Sequence, residues 1–137
     1  MTGLLPIRVL VAEDNAFFRL SLNALLDREE DIEVVGQASS GEEAVALATS
    51  LHPDVVVMDL GLPHKDGYAI AVEFRASPLL RHVPLIALSG YSQDRDRQAS
   101  AAAGFDAHLA KPVTPETLAQ TIEAQLARRR AGLAAST

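Results

Sequence analysis

Residues with chemically useful side chains follow four short apolar runs in this 137-residue sequence. They are Glu13, Asp14, Asp59, Ser89 and Lys111. Because ligands of open α/β sheets bind beyond the carboxyl ends of the strands, we expect these side chains to converge on one edge. Three carboxylates at one place repel one another unless a cation joins them. Oxygen ligands without a histidine pair or a cysteine favour Mg²⁺.

Asp59 is the strongest candidate for a nucleophile. It follows four apolar residues, 55–58, and a carboxylate buried there needs a partner or a metal. Such a carboxylate can attack phosphorus and form an acyl phosphate, while Lys111 and Ser89 bind the transferred oxygens. Taken singly, Asp14 has the alternative interpretation of a helix cap, and Ser89 that of a turn residue. The joint pattern indicates phosphoryl transfer.

Composition and charge restrict the class of protein. The chain has 12 basic and 18 acidic side chains, a formal charge of −6 and no cysteine. The acidic balance argues against a nucleic-acid surface, and the lack of cysteine excludes disulfides and thiolate zinc sites. No apolar run approaches the roughly 18 residues of a membrane span. We therefore expect one cytoplasmic domain that binds neither membranes nor nucleic acids.

Apolar runs alternate with segments of helical period, which is typical of a parallel sheet covered by helices. The predicted strands are 7–12, 32–36, 55–58, 83–88 and 105–110. The second and fifth alternate more than the others and are predicted to be outer strands. The helical pattern is poorest in 92–103, where we expect a weakly held helix. Right-handed crossovers fold this series into an open, doubly wound α/β sheet.

The ends of two helices carry further signals. Asp14 or Asn15 is placed to cap the first helix. At the other end of the chain, the basic cluster Arg128–Arg130 is interpreted as a solvated helix end whose cations complement the helix dipole.

Five motifs occur in a fixed order over residues 7–128. They are Glu13-Asp14-Asn15, the run 55–63 around Asp59, Asp66-Gly67, Ser89-Gly90 and Lys111-Pro112. Together they resemble the receiver domain of bacterial two-component response regulators. The resemblance implies a flavodoxin-like (βα)5 fold, a three-layer α/β/α arrangement with parallel strands in the order 2-1-3-4-5. It assigns 1–130 to the receiver domain and 131–137 to a C-terminal tail.

The resemblance also implies roles for the polar residues. Asp59 is the phosphoacceptor, and Lys111 pairs with the phosphoryl group. Glu13, Asp14 and Asp59 hold Mg²⁺, and the backbone carbonyl of Gly61 is a further metal ligand.

The implied switch departs from the family pattern at one position. Ser89 is the switch hydroxyl, but His108 stands where the family generally has Tyr or Phe. His108 is either a working switch residue, which can ionise near neutrality, or a surface histidine, and both interpretations stay open. Tyr91 is hypothesised to tune the phosphoryl lifetime by shielding the site from water. The Lys111–Pro112 peptide is a candidate for the cis form.

Partners follow from the same resemblance. A histidine kinase or phosphotransfer protein donates the phosphoryl group, and a downstream protein binds the face formed by the fourth helix, fifth strand and fifth helix. We expect a signalling switch, stand-alone or excised from its output domain, that catalyses only its own Mg²⁺-dependent phosphorylation and dephosphorylation. A phosphorylation-dependent dimer is left open.

Three other functions fit these residues less well. An aspartyl phosphohydrolase of the haloacid-dehalogenase type has a second aspartate two positions after the nucleophile, where this chain has Gly61. A P-loop would start at Gly36 and Gly41, but Glu42-Glu43 follow instead of Lys-Ser/Thr. A receiver-like scaffold that is never phosphorylated would have no need for the complete set of acidic residues and lysine.

Overall fold

A computed structural model describes residues 5–62, 67–90 and 94–136, in which strands and helices alternate. The strands are β1 (Ile7–Ala12), β2 (Ile32–Ala38), β3 (Val55–Asp59), β4 (Leu85–Ser89) and β5 (Ala107–Ala110). The helices are α1 (Ala16–Asp27), α2 (Gly41–Leu51), α3 (Gly67–Ala76), α4 (Asp94–Ala103) and α5 (Pro115–Ser136). The order of elements confirms the predicted series of strand and helix.

All five strands are parallel and lie in the order β2-β1-β3-β4-β5. The predicted doubly wound, flavodoxin-like sheet is therefore confirmed, with β2 and β5 as the outer strands. β4 and β5 begin two residues later than predicted. Pro84 has no N–H to donate to a ladder, and the N–H of Phe105 donates to the carbonyl of Ser100 at the end of α4.

Two apolar layers hold the helices on the two faces of the sheet. Successive strand residues point to opposite faces, so each central strand contributes side chains to both layers. One layer contains Leu10, Val56, Met58, Ala44, Ala48, Ile70 and Phe74. The other contains Val9, Val11, Val57, Leu22, Leu26, Leu118 and Ile122. Burial on both faces explains why β3 and β4 are continuous apolar runs.

The first turn of α1 decides between the two predicted caps. The side chain of Asn15 accepts a hydrogen bond from the N–H of Phe18 at 2.9 Å, which is the usual N-cap arrangement. Asn15 is therefore the cap, and Asp14 is exposed beside it.

α4 has little apolar surface to bury, as its sequence predicts. Ala99 and Ala102 are exposed, whereas Ser100 is buried. Among the side chains of α4 that the structure describes, the buried one is thus a hydroxyl rather than a methyl group.

The last helix is longer than predicted. α5 continues to Ser136, so residues 131–136, expected to form a tail, are helical. The last turn of α5 contains no basic residue, and the interpretation of Arg128–Arg130 as cations at the helix end is therefore wrong. Although α5 has 22 residues, no helix in the described ranges combines the length and apolar character needed to cross a membrane.

Gly41 marks a close approach of α2 and α3. A Cβ atom at this buried position would overlap Cγ1 and Cδ1 of Ile70. We expect Gly41→Ala to lower the free energy of unfolding by about 1–3 kcal/mol, the usual effect of overpacking a core. Urea denaturation of the Mg²⁺-free protein measures this change.

Gly132→Ala provides the matched control. Gly132 is also helical, but a Cβ there meets no atom within 4 Å, so the same substitution should stabilise the protein by up to about 1 kcal/mol. Equal changes at Gly41 and Gly132 would contradict the packing explanation.

Candidate functional site

The polar residues at the strand ends come together at one edge of the sheet. The parallel ladder places Asp59 beside Leu88 and Ser89 beside Ala110. The N–H of Lys111 then donates to the carbonyl of Ser89 at 2.7 Å. The backbone that positions these side chains is therefore a direct continuation of the sheet.

An acidic cluster forms the centre of this edge. Glu13, Asp14 and Asp59 each present a carboxylate oxygen, and these oxygens lie within 4.8 Å of one another. Glu13 and Asp59 are only 1% and 8% exposed, whereas Asp14 faces solvent. The set contains oxygen donors only and is open on the Asp14 side, which suits a hard divalent cation that keeps part of its water shell.

Gly61 lies next to this cluster. It is exposed, and a Cβ atom built on it would be 3.7 Å from Oδ2 of Asp59. The role of its carbonyl as a metal ligand stays a prediction.

Lys111 joins two of the three carboxylates. Its Nζ lies 3.0 Å from Oε1 of Glu13 and 3.2 Å from Oδ1 of Asp59. The same ammonium group lies 4.3 Å from the centroid of the Phe18 ring, a favourable cation–π distance. Phe18 was not predicted to be part of the site. Its place one turn beyond the acidic pair is the signal that could have revealed this contact.

The electrostatic balance of the cluster is unfavourable without a cation. Burial raises the pKa of Glu13, and the charge of Asp59 adds to this effect, although the hydrogen bond from Lys111 acts in the opposite direction. Burial alone would lower the pKa of Lys111, but the hydrogen bond and charge of Glu13 and the charge of Asp59 outweigh it and raise the pKa. Lys111 therefore stays cationic, and three carboxylates with one ammonium leave a formal charge of −2.

The start of α1 fixes the backbone and side chain of Glu13. The N–H of Asn15 donates to Oε2 of Glu13 at 3.1 Å, and Nη1 of Arg19 donates to the Glu13 carbonyl at 2.8 Å. Sequence reasoning missed Arg19. Its position, six residues after a buried acid and one turn into a helix, carries no distinctive signal by itself.

Ser89, the last residue of β4, and His108, near the start of β5, form a buried pair. Each is 8% exposed, and Ser89 Oγ lies 2.7 Å from His108 Nε2. His108 Nδ1 lies 3.1 Å from Oγ of Ser100 in α4. The interpretation of His108 as a surface histidine is therefore wrong. Ser100 was missed because a single serine in a polar helix resembles a solvent-exposed residue.

Two further predicted residues have different outcomes. The Lys111–Pro112 peptide is cis, as expected. Tyr91 lies outside the described residues, so its suggested effect on the phosphoryl lifetime stays a prediction.

Comparison with known proteins identifies the family to which this chain belongs. The response regulator receiver domain family matches residues 9–123, most of the chain. The chain therefore belongs to the response regulator receiver domain family. Its members act in two-component signalling, in which histidine kinases are their general partners, and they generally bind Mg²⁺ at an acidic pocket.

Individual relatives agree with this assignment. The transcriptional regulatory protein PdtaR of Mycobacterium tuberculosis is 40% identical over 125 residues, which are 91% of this chain and 59% of PdtaR. A putative response regulator of Chloroflexus aurantiacus has a TM-score of 0.83 at 31% identity, covering 89% of this chain and 98% of that one. The chemotaxis response regulator CheY4 of Vibrio cholerae has a TM-score of 0.80 at 27% identity, covering 88% and 98%. The chain spans less than two thirds of the length of PdtaR.

Glu13 provides a test of the charge balance. Because its pKa is raised in the folded protein, Glu13 favours folding below its unfolded pKa and loses that contribution as the pH rises through the folded value. In Mg²⁺-free protein, we expect Glu13→Gln to gain stability relative to the wild type between about pH 4 and about pH 8. Urea denaturation with a chelator at both pH values measures this difference.

Carboxylates away from the cluster are common to both proteins and cancel from the comparison. Adding Mg²⁺ at the higher pH should stabilise the wild type more than the variant, because a ligand of the folded state shifts unfolding by mass action. A stability difference that does not change with pH would contradict the proposed charge strain.

Proposed function

We propose that this chain is a phosphoacceptor receiver whose Asp59 takes a phosphoryl group from a phosphohistidine. One observation carries the proposal. The ammonium of Lys111 bridges the buried carboxylates of Glu13 and Asp59, while Asp14 stands exposed beside them. A nucleophile, a cationic group for phosphoryl oxygens and a set of metal ligands thus lie within one small volume.

The proposed reaction uses these groups in a defined order. A carboxylate oxygen of Asp59 attacks phosphorus, the P–N bond of the donor breaks, and its electron pair stays on the donor nitrogen. The ammonium group of Lys111 pairs with the transferred phosphoryl oxygens. The Ser89 hydroxyl donates a hydrogen bond to one of them. Glu13, Asp14, Asp59 and the Gly61 carbonyl would hold Mg²⁺. When bound, the metal supplies positive charge that offsets the carboxylates and the phosphoryl oxygens.

We propose a signalling switch rather than an enzyme that acts on small-molecule substrates. Gly61 stands where an aspartyl phosphohydrolase would need its second acid. The two glycines that a P-loop would need are explained by close packing instead. Gly36 lies against Leu10 and Leu51, and Gly41 lies against Ile70. We therefore propose that the chain catalyses only its own Mg²⁺-dependent phosphorylation and dephosphorylation.

The path from the site to a partner surface begins at Ser89. When its hydroxyl turns toward a phosphoryl group, its contact with His108 Nε2 is lost, and His108 also contacts Ser100 of α4. We propose that this movement changes the face made by α4, β5 and α5, which binds a downstream protein. The proposed location is the cytoplasm, where the histidine kinase domain would donate its phosphoryl group, and the cysteine-free composition agrees with it.

Phosphorylation of Asp59 can be tested with a small-molecule donor. Acetyl phosphate with Mg²⁺ should add one hydroxylamine-sensitive phosphoryl group to the wild type and none to Asp59→Asn, because an amide cannot form the acyl phosphate. Intact-mass measurement reports both results.

Asp27→Asn is the matched control. Asp27 is an exposed acid at the end of α1, and its loss should leave phosphorylation at the wild-type level. Modification of Asp59→Asn to the same extent as the wild type would reject Asp59 as the acceptor.

The contact between His108 and Ser89 gives a second test. His108→Phe removes the Nε2 atom that holds the Ser89 hydroxyl, so the phosphoryl mimic beryllofluoride should bind more tightly by about fivefold, equivalent to one hydrogen bond of about 1 kcal/mol. Titration with Mg²⁺ present, followed by NMR, measures this affinity.

His82→Phe is the control for this substitution, because His82 is exposed and precedes β4 at the opposite edge of the sheet. Its affinity for beryllofluoride should equal that of the wild type. Unchanged or weaker binding by His108→Phe would refute the switch role.

A further inference from the structure

A cavity of about 380 Å³ lies at the edge of the sheet opposite the acidic cluster. Pro84 and Asp106, which directly precede β4 and β5, form part of its wall. The other walls come from α3, the segment before β4 and α5. The basic side chains that line it are Arg75, Arg81, His82, Arg128 and Arg129.

The charge of this cavity is opposite to that of the chain. Four guanidinium groups and the single carboxylate of Asp106 leave a formal charge of +3 with His82 neutral, in a chain of net charge −6. Like charges gathered in one place repel one another. An anion in the cavity would convert this repulsion into attraction.

Arg75 is already engaged in the structure of this edge. Its guanidinium donates to the carbonyls of Gly104, Arg81 and Val83 and to the carboxylate of Asp106, at 2.6–2.9 Å. Asp106 in turn accepts from the N–H of Leu85. Arg75 and Asp106 therefore form a fixed wall that contributes charge but few donors.

The other three arginines have unused donors. Within the described part of the chain, the side chains of Arg81, Arg128 and Arg129 show no hydrogen bond or ion pair. Nε of Arg129 is also buried without a hydrogen-bond partner. A buried donor that lacks an acceptor is unfavourable, and this atom lies in a residue that lines the cavity.

We infer that this cavity binds a small molecule that carries at least two phosphate groups. Guanidinium forks match phosphate oxygens in geometry and charge, and three of them with free donors exceed what one phosphate requires. The volume falls within the range of about 300–1,000 Å³ that is usual for small-molecule sites. The site is independent of the proposed phosphorylation of Asp59, which lies at the opposite edge.

Inorganic pyrophosphate is the probe for this site, titrated calorimetrically into the full chain with a chelator present. Without divalent cations, the acidic cluster at the other edge repels the anion, so binding reports on the arginine cavity alone. We expect saturable binding of one pyrophosphate, with a clearly weaker response to inorganic phosphate. In the wild type, pyrophosphate should also shift the NMR signal of the Arg129 Nε–H group.

The variant Arg81→Gln/Arg128→Gln removes two of the free guanidinium groups and should weaken pyrophosphate binding at least tenfold. Its control is Arg28→Gln/Arg130→Gln, which removes the same charge from two exposed residues that do not line the cavity, and whose affinity should stay within twofold of the wild type. Circular dichroism and phosphorylation of Asp59 by acetyl phosphate check that both variants are folded.

Three results would overturn the inference. The first is the absence of saturable binding to the wild type. The second is an equal loss of affinity in the two double variants, since this would indicate non-specific attraction. The third is binding of a tetraglutamate peptide as tightly as pyrophosphate, which would assign the cavity to a carboxylate-rich protein segment instead.

Discussion

The ion pairs of Lys111 with Glu13 and Asp59 are the interaction on which the site depends. Three carboxylates within 4.8 Å of one another would be strongly unfavourable at a sheet edge without a cation. Lys111 supplies one positive charge at 3.0 and 3.2 Å, which reduces the repulsion but does not neutralise the cluster. The remaining formal charge of −2 suits a hard divalent cation.

The sheet determines where this interaction can occur. Because β1, β3, β4 and β5 run parallel, the residues that follow them meet at one edge, although Glu13 and Lys111 are 98 positions apart in the sequence. The apolar runs that predict the strands therefore also predict the site. This is why the sequence alone could predict that Glu13, Asp14, Asp59, Ser89 and Lys111 come together.

Features that depend on side-chain contacts between elements could not be found in this way. The cation–π contact of Phe18, the hydrogen bond from Arg19 and the buried position of Ser100 follow from helix orientation, which hydrophobic periodicity does not specify. The arginine cavity is a similar case. Arg75, Arg81 and Arg128 are far apart in sequence, and the helical continuation of α5 past the basic cluster changed the environment expected for that cluster.

The attachment of α4 has a consequence for the switching movement proposed above. Among the described side chains of this helix, the buried one is the hydroxyl of Ser100, which lies against His108. Apolar surfaces can slide over one another with gradual changes in energy, whereas a hydrogen bond weakens steeply when its angle or length departs from the optimum. A helix held in this way is expected to occupy discrete positions, so the switch proposed above would respond in an all-or-none manner rather than gradually.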